Sequence, residues 1–194
     1  MITKKITWHP IHASSDGIFN TATGAEIHLL HPKPEMFIIE DIAGTLSKIC
    51  RFGGHVSAFY SVAQHSVIMA AMAPQAIKKE ALFHDASEAY LGDVIKPLKV
   101  ILGRRYENLE KAFTAAISKK FKLTYSKTTN DIIKAMDAEL LEMEQMALQK
   151  GNVVPLTREL EKNGLLDLDM FAWPHEVAAQ QFLLAYKNYF GNKK

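Results

Sequence analysis

The chain has little of several things that would narrow its class at once. Its 194 residues include one cysteine, Cys50, so no intrachain disulfide framework can form, which fits a reducing compartment. No apolar run approaches the roughly 20 residues that span a bilayer. Met1 to Trp8 carries Lys4 and Lys5 with no apolar stretch after them, so a signal peptide is not expected. There is no repeat and no low-complexity tract. Net charge is only +2, too small to argue for a nucleic-acid partner unless the basic residues cluster. What remains is an ordinary globular balance, 48% hydrophobic and 23% charged, in a length that suits one domain with a sizeable core.

Residues 1–34 differ from the rest. Short β-prone pieces around Thr7-Trp8-His9, Ile18-Phe19 and Ile27-His28-Leu29 alternate with turn residues, which predicts one or two small hairpins closed by Pro32 and Pro34. From Ile39 the apolar spacing turns helical, with Ile39, Ile42, Leu46 and Ile49 on one stripe. Arg51-Phe52-Gly53-Gly54-His55 breaks it. Ser57 can cap a helix running to about Met72. Pro74 suits the start of the next, which carries His84 and stops at Gly92. A loop follows to Gly103, then a helix over about Arg104–Phe121. Thr128 or Thr129 can cap a long helix ending near Gly151. Residues 151–172 read as irregular, with a short helix near Arg158–Lys162, and Pro174 opens a last helix to about Phe190. The expectation is one all-α domain over 1–194, a bundle of about six helices with a small N-terminal hairpin region.

Glu80 to Asp93 holds an adjacent His-Asp pair with an acid four residues after the histidine. On one helix His84 and Glu88 share a face, with Asp85 about 100° round. Two other helices carry ionisable residues on apolar stripes. His65 sits among Ala58, Val62, Met69 and Met72, and Asp137 lies with Ile133, Leu140 and Leu141. Either alone reads as a small error of helix phase. Burying an unpaired carboxylate costs several kcal/mol, however, and three helices show the same anomaly. His65, His84, Asp85 and Asp137 together form a mixed imidazole–carboxylate set, suited to one divalent transition metal such as Mn, Fe, Co, Ni or Zn. Four protein ligands leave positions open, as a catalytic site needs.

The order His … His-Asp … Asp on successive helices resembles the HD-domain phosphohydrolase superfamily. The segments Arg51–His55, Tyr60–Ser66 and Leu82–Asp93 further resemble its small deoxynucleotide-hydrolysing branch, the bacterial 5′-deoxynucleotidases and the dATP triphosphohydrolases of some bacteriophages. The likeness covers about residues 38–150 and is specific over 51–99. It implies an HD core over 38–150, followed by the C-terminal helix over 174–190, and a catalytic metal on His65, His84, Asp85 and Asp137. It implies that Glu88 orients or deprotonates the attacking water, that Asp93 lies beside the phosphate, and that Arg51 contacts substrate. Further Mg or Zn on the substrate phosphates, a cytoplasmic location in a bacterium or phage-infected host, and a homo-oligomer also go with it. Gln64 departs from the branch, whose bacterial nucleotidases carry Glu before this histidine, and is expected to alter the substrate pocket.

Other residues keep two readings. Phe52 can stack on a base or pack in the core, and His55 can touch substrate or line its loop. Lys96, Lys99, Arg104 and Arg105 are either a solvated run or, at Lys96 and Lys99, a polyphosphate clamp. His9, His12, His28 and His31 read as exposed or interfacial. The expected activity is hydrolysis of deoxynucleotide 5′-phosphate esters, leaning to a triphosphate such as dATP. The alternatives are a monophosphate-specific 5′-deoxynucleotidase and a non-catalytic HD-fold nucleotide-binding protein.

Overall fold

A computed structural model describes residues 17–149 and 172–191. Expectations for Trp8, His9, His12 and the short helix near 158–162 lie outside them. Two strands, β1 (Ile18–Asn20) and β2 (Glu26–His28), pair antiparallel with Phe19 opposite Ile27. Eight α-helices follow among the described residues: α1 (Ile39–Leu46), α2 (Val62–Met72), α3 (Lys78–Leu82), α4 (Glu88–Leu91), α5 (Lys96–Leu102), α6 (Arg104–Phe121), α7 (Lys127–Leu148) and α8 (His175–Phe190). The helical class is as the periodicity predicts. None of these helices is long and apolar enough to cross a membrane.

The hairpin is pinned to α1 by one buried acid. Asp41 accepts hydrogen bonds from the Thr21 and Thr23 hydroxyls, both at 2.6 Å, and from the Thr23 amide at 3.1 Å. Helix α2 is buried on all sides from Val62 to Ala70, the mark of a central helix. It meets α3 and α8 on one side, and α7 on another through Tyr60, Ile68, Met69, Ile133 and Leu140. Helix α8 closes the bundle over α1, α2 and α3, burying Ala178, Phe182 and Ala185.

Phe83, the residue before His84, sits at the centre of an aromatic cluster. Its ring lies 4.7 Å from Phe121, 5.5 Å from Phe190 and 5.9 Å from Phe182. Phe83→Ala should therefore lower unfolding stability by about 3–5 kcal/mol, read as a lower urea midpoint at unchanged slope.

Several boundaries differ from the sequence expectation. Ser61, not Ser57, caps α2 by accepting from the Gln64 amide, and Ser126, not Thr128 or Thr129, caps α7 by accepting from the Thr129 amide. The helix expected to run through His84 is broken, because α3 ends at Leu82 and a run of tight turns spans 83–87 before α4. The segment 92–103, expected as a loop, contains α5. Pro97 stands in its first turn, where a missing amide hydrogen does no harm. Helix α5 leaves Val100 and Ile101 largely exposed. Gly92 does act as the stop, at φ +79°.

Candidate metal centre

The turn of Arg51–Gly54 is set by main-chain contacts to the start of α2. Arg51 N–H donates to the Tyr60 carbonyl and Val62 N–H to the Ile49 carbonyl. Phe52 and Gly53 both take φ near +60°, which bends the chain so that Arg51 turns inward while Phe52 stays at the surface of a cavity. That conformation costs a non-glycine residue about 1–2 kcal/mol, and the two glycines beside it keep the turn from costing more.

His65, one turn into α2, is fully buried. Its Nε2 lies 3.2 Å from His84 Nε2, 3.3 Å from Asp137 Oδ1 and 3.7 Å from Asp85 Oδ2. Asp85 Oδ2 is also 3.1 Å from His84 Nε2. His65, His84 and Asp137 each present a ligand atom within a 4.8 Å group, and Asp85 joins through its contacts with both imidazoles. Two donors bound at about 2.1 Å to one ion, 90–109° apart, stand about 3.0–3.4 Å from each other. The 3.2 and 3.3 Å spacings of His84 Nε2 and Asp137 Oδ1 from His65 Nε2, and the chemistry of these donors, therefore fit a single divalent ion, with Asp85 Oδ2 spaced slightly wider from His65 at 3.7 Å.

His84 is not placed by a helical face shared with Glu88, as the spacing suggested. It sits in the turn after α3, where His84 Nδ1 donates to the Ala81 carbonyl at 2.8 Å. That bond leaves Nε2 as the atom offered to the group. Nor is Asp137 a core carboxylate. Its side chain is 42% exposed, because α7 presents it to a cavity rather than to the core.

The cavity holds about 640 Å³, within the range of small-molecule sites. Arg51, Phe52, Lys96 and Lys99 line it with Asp85, Glu88, Asp93 and Asp137. Lys134, one turn before Asp137 on α7, also lines it and was not singled out from sequence. The Arg51 guanidinium carbon lies 5.5 Å from the ring centroid of Phe52, which is half-buried, lines the cavity and also packs against the core cluster of Tyr60, Ile68 and Ile133. Lys99 is held by its own acids, with Nζ 2.8 Å from Glu110 Oε1 and 3.6 Å from Glu88 Oε1. His55, Arg104 and Arg105 are exposed and are not among the lining residues, and the His55 carbonyl accepts from the Gln149 amide. Gln64 does not shape the pocket either. It is fully buried and its Oε1 accepts from the Trp173 amide, which ties down the approach to α8. His28 pairs with Glu26 at the hairpin, and His31 is exposed. His84, Asp85 and Glu88 also reach a second cleft of about 560 Å³, walled by α6.

Burial and the neighbouring Asp85 and Asp93 push the Glu88 carboxyl well above its usual range, and its Oε2 is buried without a hydrogen-bond partner. Burial likewise raises Asp93. For Asp85, burial is outweighed by His84, His65 and Arg51, so it stays ionised far below the usual carboxylate range. Burial and Arg51 press the His65 imidazole down, but Glu144 and Asp137 overcome them, leaving its pKa at about 9.

Glu144, like Lys134, is a residue not singled out from sequence. It is fully buried on α7, seven residues after Asp137. Oε1 lies 2.7 Å from His65 Nδ1, and Oε2 accepts from Arg51 Nε at 3.0 Å. Its signal was present, since Ile133, Leu140, Glu144 and Leu148 follow the buried stripe of α7.

Fold and site define a helical protein whose histidine–carboxylate centre is drawn from α2, α7 and the turn after α3, beside a partly basic cavity. No family model matches the chain. It is 42% identical over 121 residues to Uncharacterized protein YfdR of Escherichia coli strain K12, covering 61% of this chain and 66% of that one. It is 36% identical over 138 residues to Uncharacterized protein RCAP_rcc00048 of Rhodobacter capsulatus, covering 64% of this chain and 70% of that one. The chain belongs to the same family as this Rhodobacter protein. Neither relative's name states an activity.

Proposed function

We propose that the protein is a metal-dependent HD-type phosphohydrolase acting on deoxynucleotide 5′-phosphate esters, with a deoxynucleoside triphosphate such as dATP as the leading substrate. The observation that carries this reading is the cluster of His65, His84 and Asp137, with Asp85 in contact with both imidazoles, whose Asp85 and Asp137 open onto a cavity that Arg51, Lys96 and Lys134 also line. His65, His84, Asp85 and Asp137 would hold one divalent transition metal, which supplies Lewis acidity to phosphate oxygens and a lowered pKa for water. Further Mg or Zn would accompany the substrate's phosphate chain.

The chain's own groups do the rest. Arg51 offers terminal guanidinium nitrogens to a phosphate, in the bidentate manner suited to that anion. Lys96 and Lys134 add positive charge at the cavity wall. Phe52 presents a ring face at the rim for a base. Glu88, unpartnered on one oxygen, takes a proton from the attacking water. Asp93 lines the same cavity and lies beside the phosphate. The bond broken joins phosphorus to the nucleoside 5′-oxygen, and water supplies the new oxygen on phosphorus. The products are deoxynucleoside and triphosphate.

One observation favours a second reading, a 5′-deoxynucleotidase acting on monophosphates. Lys99 is already paired with Glu110 and Glu88, so fewer free cations face a long phosphate chain. Incubation with Mn²⁺ or Co²⁺ and either dATP or dAMP, followed by chromatography of the products, separates the two. Triphosphate from dATP supports the first reading and phosphate from dAMP the second. Release from neither removes the nucleotide assignment.

A further inference from the structure

A carboxylate with no solvent exposure is an expensive way to fill space. Taking it out of water costs several kcal/mol, and an apolar side chain would suit a purely structural position among Ile133, Leu140 and Leu148 at least as well. Glu144 is such a group. Its two oxygens each accept from a residue that faces the candidate centre, with the buried Tyr60 hydroxyl beside them.

The first oxygen acts on His65. An ionised carboxylate only accepts hydrogen bonds, so the 2.7 Å contact places a proton on His65 Nδ1. Once the ring is neutral, its lone pair is then on Nε2, the atom that faces His84 and Asp137. The second oxygen acts on Arg51. Accepting from Nε at 3.0 Å fixes the guanidinium plane. Nη1 is left 3.6 Å from Asp85 Oδ2, and the end of the fork faces the cavity.

We infer that Glu144 is a shared positioning residue, one carboxylate that sets both the ligand atom of His65 and the anion-binding face of Arg51. The inference rests on the metal-centre reading above. It ties affinity for the ion and affinity for the phosphate to one group that touches neither. Glutamine in its place has one accepting and one donating end, so it cannot accept from both His65 Nδ1 and Arg51 Nε. If its amide nitrogen turns to His65, the ring proton moves to Nε2 and blocks the ligand position.

Calorimetric titration of Mn²⁺ into metal-free wild type, Glu144→Gln and Glu144→Asp tests this, with thermal melts to establish that each variant is folded. Glu144→Gln should bind Mn²⁺ about 10–100-fold more weakly. It should also raise KM for the hydrolysed nucleotide as well as lower kcat. Glu144→Asp, which still accepts at both oxygens, should recover part of both losses, a rescue that a space-filling role would not give. A folded Glu144→Gln protein with wild-type Mn²⁺ affinity overturns the inference. Should Glu144→Gln not fold, proton–nitrogen correlation spectra of Zn²⁺-loaded wild type decide it. The proton belongs on Nδ1 of His65, and a proton on Nε2 overturns the assignment. Wild-type protein that takes up neither Mn²⁺ nor Zn²⁺ overturns the metal reading and this inference with it, an outcome distinct from an unaffected variant.

Discussion

Glu88→Gln is expected to lower kcat about 10²–10⁴-fold while leaving Mn²⁺ affinity near that of wild type. The amide keeps the shape of the side chain but cannot take a proton, and Glu88 is not among the donors that converge on His65. The environment of Glu88 also sets the direction of a pH effect. Burial, Asp85 and Asp93 raise its pKa well above the ordinary carboxylate range, against the pull of Lys99 and Arg51. Below that pKa the carboxyl holds its proton and cannot accept another. The rate should therefore fall as pH falls through a value higher than that of an exposed glutamate. A cation on Asp85 works against the rise, so the acid limb in the loaded protein lies between those bounds. Stopped assays from pH 5 to 9 should show the limb in wild type and its loss in Glu88→Gln. Full activity in the variant would remove Glu88 from the mechanism and leave the metal site standing.

Loss of the ion itself should be the more complete defect. His84→Ala removes a donor that stands 3.2 Å from His65 Nε2 and 3.1 Å from Asp85 Oδ2. Its Mn²⁺ affinity should fall by more than the about 10–100-fold that follows loss of a group outside the ligand shell. Hydrolysis should be undetectable, and added Mn²⁺ should restore chelator-treated wild type but not the variant. Metal analysis of the purified proteins checks the assignment, and unchanged content in His84→Ala would contradict it. A proton balance accompanies binding. His65 has a pKa of about 9 in the metal-free chain, and a protonated imidazole has no lone pair to give. Uptake of Mn²⁺ at pH 7 should therefore release a proton. Apparent affinity should rise with pH until about 9 and level off above it. Titrations in buffers of different ionisation enthalpy measure this directly.

Much of the framework was legible because it depends on local periodicity. Helices α6 and α8 begin and end where the apolar spacing and Pro174 place them. The hairpin followed from turn residues around Ile18-Phe19 and Ile27-His28. The breaks were less legible. Phe83 is committed to an aromatic cluster drawn from α6 and α8, and that tertiary demand interrupts a segment whose composition favours a continuous helix. Pro97 read as a loop residue because its spacing alone does not distinguish a helix's first turn from its interior.

The site divides in the same way. His65 and Asp137 stood out as ionisable residues on apolar stripes, and His84 and Asp85 as an adjacent pair one turn before Glu88, yet two of the reasons differ in the structure. Asp137 is open to a cavity, and His84 and Glu88 approach through a turn. Glu144 obeyed the same rule as His65 but escaped notice, because an acid among Glu139, Glu142 and Glu144 looks like an ordinary exposed face until α7 is rotated onto α2. Gln64, which the family resemblance marked as a change in the substrate pocket, points instead toward Trp173. Adjacent helix positions lie 100° apart, and that angle carries it from the site to the seam with Trp173.

The contacts of Glu144 have a meaning for how the protein comes to exist. Its partner Arg51 is 93 positions away along the chain and His65 is 79 away. Closing segments of that length is entropically costly and is among the slower events of assembly. The turns that carry Arg51 and His84, and the helix that carries His65, can form early from near neighbours, but the arrangement that defines the centre waits for α7. A nascent or partly assembled chain thus has the ingredients of the site without the site, and its chemistry is withheld until the architecture is finished.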